Sequence, residues 1–452
     1  MGDSDSFADR LRRRRFLRLS GALGVAGLAG CSSQEELQGE TDTPADDGSD
    51  GTDGDGGDGD GDGDGEDGDG EEADPLPVGA VIPFSGDLAD FGEPMLNAMR
   101  MAQEDINAAG GPLGREIDLL NEDSGTDSTQ AVNAAEKLVN TNGAQCIIGA
   151  VSSGVTISIA NSVTIPNEIL QITSASSSPT ITTLDDNDLV WRTRTNDRFV
   201  AKVMAMIAQD EGAETAAVIY INNDFGLALA DTFESAFEGE ITAKVGYASG
   251  QSSYEQVLSQ AFQDDPDIVA FAGYPESGTT MLTQWNEQGY GGNWILHTSL
   301  LSQDVIDNVG ADIMNGMFGV RTKPPTGEDT EAFVSDYEEQ FPDAQVFSPY
   351  SWNSYDALVS YALAVHAAGS ADPNQVKAQM RPVTNPEGEG VGYGAFGDGI
   401  SLLDEGTDID YSGPSGNVNY DANGDVASDM VIVAVEDGEF TDQETIPAGD
   451  LV

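Results

Sequence analysis

The stretch Ala144-Gln-Cys-Ile-Ile-Gly-Ala-Val-Ser-Ser-Gly-Val-Thr-Ile-Ser-Ile-Ala-Asn-Ser-Val163 sets the expectation for the whole chain. Cys146-Ile147-Ile148 is a short apolar run of the kind that a strand buried on both faces requires. Gly149 ends it, and Ser152 and Ser153 stand where a helix N-cap belongs. Val155, Ile159 and Val163 then fall on one helical face. Strand, serine turn and helix together aim unpaired backbone N–H groups at an anion, and the two hydroxyls add donors that can grip a carboxylate. The alternative is that the serines merely cap a helix.

The same alternation runs outward from this stretch. Strands are expected at 77–82, 117–120 and 169–172, with helices at 95–107 and 128–140, the first stopping at Ala109-Gly110-Gly111. A second half begins near Asp197, with helices at 199–209, 227–237, 254–262 and 278–288. Its strands are expected at 216–221, 244–245, 268–272 and 294–297. Such alternation means an α/β fold of parallel sheets with helices on both faces. Ligands of such sheets sit at the carboxyl ends of the strands. Those ends hold Phe84-Ser85, Ser152-Ser153, the serines of 174–178, residues 222–225, Tyr274 and Thr298. They are polar or aromatic and come from both halves, which implies a cleft between two lobes.

The chain has 452 residues and a net charge of -62, from 80 acidic residues against 18 basic ones. Self-repulsion of that size destabilises a compact fold in dilute buffer. At molar salt the Debye length is about 3 Å and the repulsion is screened, so the acidity reads as a halophilic adaptation. It argues against nucleic acid, which needs a basic face. Of the two cysteines, Cys146 lies in an expected core strand and Cys31 near the N-terminus, so no internal disulfide is expected.

Residues 1–30 read as an export signal. Arg13-Arg14-Arg15-Phe16-Leu17-Arg18 matches the twin-arginine pattern, and an apolar region too short to span a bilayer follows. Leu28-Ala29-Gly30-Cys31 resembles the lipobox of exported lipoproteins, which makes Cys31 the expected lipidation site and places the protein on the outer face of the cytoplasmic membrane. Residues 31–74 form an acidic Gly/Asp tether with nothing to bury, expected to be disordered. As a coil it spans roughly 35–40 Å. Asp60-x-Asp62-x-Asp64-Gly65-x5-Glu71 formally fits a calcium loop, but without flanking helices, and in a Gly-Asp repeat the match is expected by chance. No metal site and no cofactor are expected.

Further along, Ile106-Asn-Ala-Ala-Gly-Gly-Pro-Leu-Gly-Arg-Glu-Ile117 resembles the glycine turn of the branched-chain amino-acid binding proteins of ABC transporters, which have the type I periplasmic-binding fold. The similarity continues through Gln130-Ala-Val-Asn-Ala-Ala-Glu-Lys-Leu-Val139, Ile148-Gly-Ala-Val-Ser-Ser153, Asn223-Asp-Phe-Gly226, Tyr355-Asp-Ala357 and Asp408-Ile-Asp-Tyr-Ser-Gly-Pro-Ser-Gly416. It closes with Tyr420-Asp-Ala-Asn-Gly-Asp425, whose Asn423-Gly424 pair suits a tight turn between strands. The resemblance implies two Rossmann-like lobes joined by three hinge crossings, near 194–197, 320–323 and 413–417. Lobe 1 is then 75–196 with 322–415, and lobe 2 is 197–321 with 416–452.

The resemblance also implies roles. Ser153 and Ser177 would hold an α-carboxylate, helped by Ser152 and by backbone groups around Ala175. Asp197 would hold an ammonium, Phe91 would cover the side-chain pocket, and Phe225 and Tyr274 would close over the ligand. Thr298, flanked by His297 and Ser299, stands where amino-acid binders often supply a glutamate, and Phe225 where a tyrosine is common. A hydroxy acid, an amide or another small anion therefore stays open beside branched-chain or other neutral amino acids. The implied partners are a membrane permease driven by a cytoplasmic ATPase or, alternatively, a signalling receptor.

No catalytic constellation appears. Gly-x-Ser-x-Gly and the phosphate-binding Gly-x-x-x-x-Gly-Lys are absent, and His366 falls inside a helical run where it reads as structural. Gly392-Tyr-Gly394-Ala-Phe-Gly397 fits a dinucleotide pattern, but Asp398-Gly399 follows where a helix is required, so it is discounted.

Overall fold

The computed structural model describes residues 73–323, 326–344, 350–384 and 387–451. The expected signal, Cys31, the tether up to residue 72 and the calcium-loop match lie outside the described residues.

Two sheets organise the chain. The first runs β2-β1-β3-β4-β5, built from Leu76–Ile82 (β1), Ile117–Asp123 (β2), Cys146–Gly149 (β3), Leu170–Thr173 (β4) and Val190–Arg192 (β5), all parallel. Every residue of β3 and β4 is buried, as strands covered by helices on both faces must be. Gly79 of β1 shows how tightly one covering helix sits, since a Cβ there would lie 2.9 Å from the Leu138 side chain and 2.7 Å from that of Ile147. That helix, Ser128–Asn140, starts on Asp127, whose carboxylate accepts from the Gln130 amide at 2.8 Å. On the same lobe, the helix Ser351–Ala368 buries nearly its whole circumference and packs on Gly92–Ala108. Its His366 bridges the Leu113 amide (3.3 Å) and Asp404 (3.0 Å), a structural tie.

The second sheet has seven strands in the order β15-β14-β10-β9-β8-β6-β7. These are Thr215–Ile221 (β6), Glu240–Tyr247 (β7), Ile268–Ala272 (β8), Asn293–Leu296 (β9), Phe318–Thr322 (β10), Met430–Glu436 (β14) and Glu439–Ile446 (β15). Five run parallel, but β14 pairs antiparallel with both β10 and β15, so this sheet is mixed where a parallel one was expected. For the β14–β15 pair the reason is local: Asp437-Gly438, both with positive φ, turn the chain straight back as a hairpin. β7 extends well beyond residues 244–245, because only two of its eight residues are buried and it carries little apolar signal.

Three passages link the lobes, after β5, after β10 and before β14. The last differs from the expected boundary at 415/416. Tyr420 packs edge-on against Trp191 at 5.1 Å, and the Gly424 carbonyl accepts from the Arg192 amide, so residues up to Gly424 sit against the first lobe. The Asn423-Gly424 turn exists, closed by Gly424 N–H to Asp421 O, but it lies in this passage instead of between two strands of a hairpin.

A small third sheet holds Glu389–Val391 (β11), Ile409–Gly413 (β12) and Gly416–Asn417 (β13). Here the discounted Gly392–Gly397 segment does lead into a helix, Phe396–Asp404, against expectation. Asp398 sits in its first turn, where an acid suits the helix dipole.

Candidate functional site

The site is assembled where strands of both sheets end. Beyond β3, Ser152 has extended backbone and Ser153 begins the helix Ser153–Ile159. Beyond β4 comes the serine-rich turn Ser174-Ala175-Ser176-Ser177-Ser178, all buried. A polar turn survives burial only if its groups are paired. Thr156 and Ser176 hydroxyls lie 2.7 Å apart, and both reach the Ala150 carbonyl. The Thr173 hydroxyl accepts from the Ser176 amide at 3.0 Å, and the Ser153 hydroxyl accepts from the Ser178 amide at 3.2 Å. These bonds fix the turn before any ligand arrives.

The first passage adds charge. Asn196 caps the helix Asp197–Asp210, and Asp197 is fully buried at its start. The Ser177 hydroxyl donates to Asp197 Oδ2 at 2.5 Å, and His297 Nε2 stands 3.2 Å from Oδ1 at an angle too poor for a good hydrogen bond. Burial works against the Asp197 charge. The neighbouring His297 ring, the Arg194 guanidinium and the Ser177 hydroxyl outweigh it and hold the carboxyl below its usual range. Arg194 is itself buried, lies over the Tyr350 ring at 4.7 Å and leaves Nε and Nη2 without hydrogen-bond partners among the described residues.

The second lobe supplies the lid. Phe225 and Tyr274 stack with centroids 5.8 Å apart, and His297 meets Phe225 edge-on at 4.7 Å. His297 Nδ1 faces the Ser299 amide (3.1 Å) and hydroxyl (2.8 Å). The Ser299 hydroxyl donates to the Gly273 carbonyl at 2.6 Å, so Ser299, His297 and Asp197 form no nucleophile relay.

Between the lobes lies a cavity of about 30 Å³ walled by Leu88, Phe91, Val151, Ser153, Ala175, Ser177, Phe225, Tyr274, His297, Ser299 and Tyr350. Six of the nine residues expected from sequence meet there: Phe91, Ser153, Ala175, Ser177, Phe225 and Tyr274. Three do not form its wall. Asp197 sits behind Ser177 and His297. The Ser152 hydroxyl turns away, 3.3 Å from the Tyr274 hydroxyl. The Thr298 hydroxyl donates to the Val320 carbonyl at 2.8 Å, and its neighbours His297 and Ser299 take the wall instead. Leu88, Val151, His297, Ser299 and Tyr350 were not singled out as ligand contacts. Only the flanking of Thr298 by His297 and Ser299 hinted at them, because the others reach the cavity through tertiary folding.

Chemically, the wall offers hydroxyls, one imidazole and aromatic faces, with a buried carboxylate and guanidinium close behind. That set is chemically suited to a small polar solute with an apolar body. Among the described residues, no cluster suited to a metal ion occurs, and no helix is long and apolar enough to cross a membrane.

Comparison with known proteins agrees with this architecture. The chain is 28% identical over 383 residues to the chemotactic signal transduction system substrate-binding protein BasB of Halobacterium salinarum, covering 83% of this chain and 90% of that one. Its fold matches the leucine-binding protein LivK of Thermotoga maritima with TM-score 0.71 at 23% identity, covering 83% and 99% of the two chains. It also matches a solute-binding protein of an ABC transporter from R. palustris in complex with benzoate, with TM-score 0.69 at 17% identity, covering 82% and 97%. These are solute-binding proteins, not enzymes. The family model described as periplasmic binding protein matches residues 75–439, and the chain belongs to that family.

Proposed function

We propose that this protein is the lipid-anchored, extracytoplasmic receptor of an ABC importer, closing its two lobes on a small carboxylate such as a branched-chain or other neutral amino acid. The observation that carries the reading is the interlobe cavity, where Ser153, Ala175 and Ser177 of the first lobe face Phe225 and Tyr274 of the second. Hydrogen bonds to a charged group inside a dry cleft are the strong ones, and they form only when both lobes are in place. Ligand binding then shifts an open–closed equilibrium. Asp197, one hydroxyl away from the cavity behind Ser177, is the anion for an ammonium in this reading. In this reading residues 1–30 direct export, Cys31 carries the lipid, and residues 31–74 hold the lobes clear of the membrane.

The test is a thermal-shift screen of the full chain in molar salt with amino acids, hydroxy acids, amides and aromatic acids. A ligand at a hundredfold excess over its Kd stabilises the fold by about 2.7 kcal/mol. Ser153→Ala combined with Ser177→Ala is expected to abolish that shift while leaving the unliganded transition cooperative. A full shift in the double variant removes the site assignment.

The similarity to BasB, whose name places it in a chemotactic system, favours one second reading: a sensor that reports its ligand to a signalling receptor. A permease gene beside this one supports import, and a receptor gene supports sensing. Binding of an amide or a hydroxy acid in place of an amino acid is compatible with either.

A further inference from the structure

We infer that the cleft has a second subsite outside Tyr274, suited to an ammonium-bearing tail on the carboxylate ligand, and that Tyr274 is the partition that decides whether a ligand reaches it. The inference rests on the carboxylate reading above. The inner cavity, at about 30 Å³, holds little more than a water molecule or two. A carboxylate with any body must therefore make room, and Tyr274 is the wall with space behind it. On its far side a pocket of about 290 Å³ opens between the same two lobes, and Tyr274 lines both.

The outer pocket has its own chemistry. Asp87, Ser128 and Ser152 face it from the first lobe, and Asn222, Asn223 and Asp224 from the second, with no Lys, Arg or His on its wall among the described residues. Gly154 opposes Asp224, and a Cβ at that position would come within 2.9 Å of Asp224 Oδ2, so the absence of a side chain leaves the carboxylate its place at the seam. Two carboxylates lining one pocket from opposite lobes repel one another as the lobes approach, and a cation between them turns that repulsion into attraction. Tyr274 itself is held by replaceable bonds. Its hydroxyl accepts from Asn223 Nδ2 at 3.0 Å and lies 3.3 Å from Ser152 Oγ, both groups of the outer pocket that a ligand tail or water can satisfy instead.

The experiment is calorimetric titration of the full chain with pentanoate and with 5-aminopentanoate, which differ only by the terminal ammonium. The aminated acid is expected to bind about tenfold more tightly. In Asp87→Asn with Asp224→Asn the ratio should fall to about one. Equal affinities in the unaltered protein overturn the subsite, and so does a preference that persists in the double variant. If pentanoate binds without any such preference, only the subsite is lost. If neither acid binds, the subsite is overturned, and the carboxylate reading stands or falls separately on the thermal-shift screen.

Discussion

Asp425→Ala should lower folding stability by about 3–5 kcal/mol, the range seen when one partner of a buried ion pair is removed. Arg192 has no exposed side-chain surface, and its Nε and Nη2 lie 2.6 Å and 2.5 Å from Asp425 Oδ1. Its Nη1 donates to the Ser178 carbonyl at 2.8 Å, and Thr182 joins the two charges through bonds of 2.6 Å and 2.8 Å. Without Asp425 the guanidinium stays buried with no counter-charge. The loss should appear as an earlier chemical-denaturation midpoint. Arg192→Met with Asp425→Leu should recover most of it, because an apolar pair of similar volume replaces a buried ion pair at little cost. A single variant as stable as the parent would show that the pair is not holding this seam. Because Ser178 ends the serine turn, Asp425→Ala should also weaken ligand binding from a distance.

A second large effect is expected at Asp356. Burial pushes its carboxyl up to about 7, although the Tyr411 hydroxyl at 2.5 Å and the Ser415 amide at 2.8 Å favour the charged form. A folded-state value raised above the ordinary 3.8 means that the folded protein binds this proton more tightly than the unfolded chain does. The resulting stability is present in full below about pH 4, declines as pH rises, and is gone once pH passes 7. Relative to Asp356→Asn, which cannot titrate, the protein should lose on the order of 4 kcal/mol between pH 4 and pH 8. A stability difference that stays flat over that range would refute the assignment. The group matters because Asp356 supports the β12–β13 hairpin. A Cβ on Gly413 there would lie 1.9 Å from its Oδ1, so the hairpin backbone rests directly on the carboxyl.

Much of this was legible in the sequence because α/β alternation writes itself as apolar runs and periodic faces. The strand at Ile268–Ala272 and the helix at Ser128–Asn140 begin and end where the pattern places them. Features set by chain reversal were not legible in the same way. β14 is an apolar run, but its antiparallel direction is not written in that pattern, while β15 is acidic and β7 only partly buried, so those two carry no clean apolar signal. For the site, residues at strand ends could be listed, since the topology sends them to one edge. Which way each side chain turns could not. Ser152 and Ser153 are adjacent, yet one faces the outer pocket and the other the inner cavity. Thr298 and Ser299 differ likewise, as a tight turn aims consecutive side chains in different directions. Tyr350 and Arg194 meet only because the chain returns to the first lobe more than a hundred residues later.

The outermost strand of the larger sheet, β15, carries Glu439, Asp442 and Glu444. An unpaired strand margin is a template on which a neighbouring molecule can add its own strand. Here two copies approaching margin to margin would bring rows of like charge together. That acidity therefore discourages the protein from polymerising through its sheets.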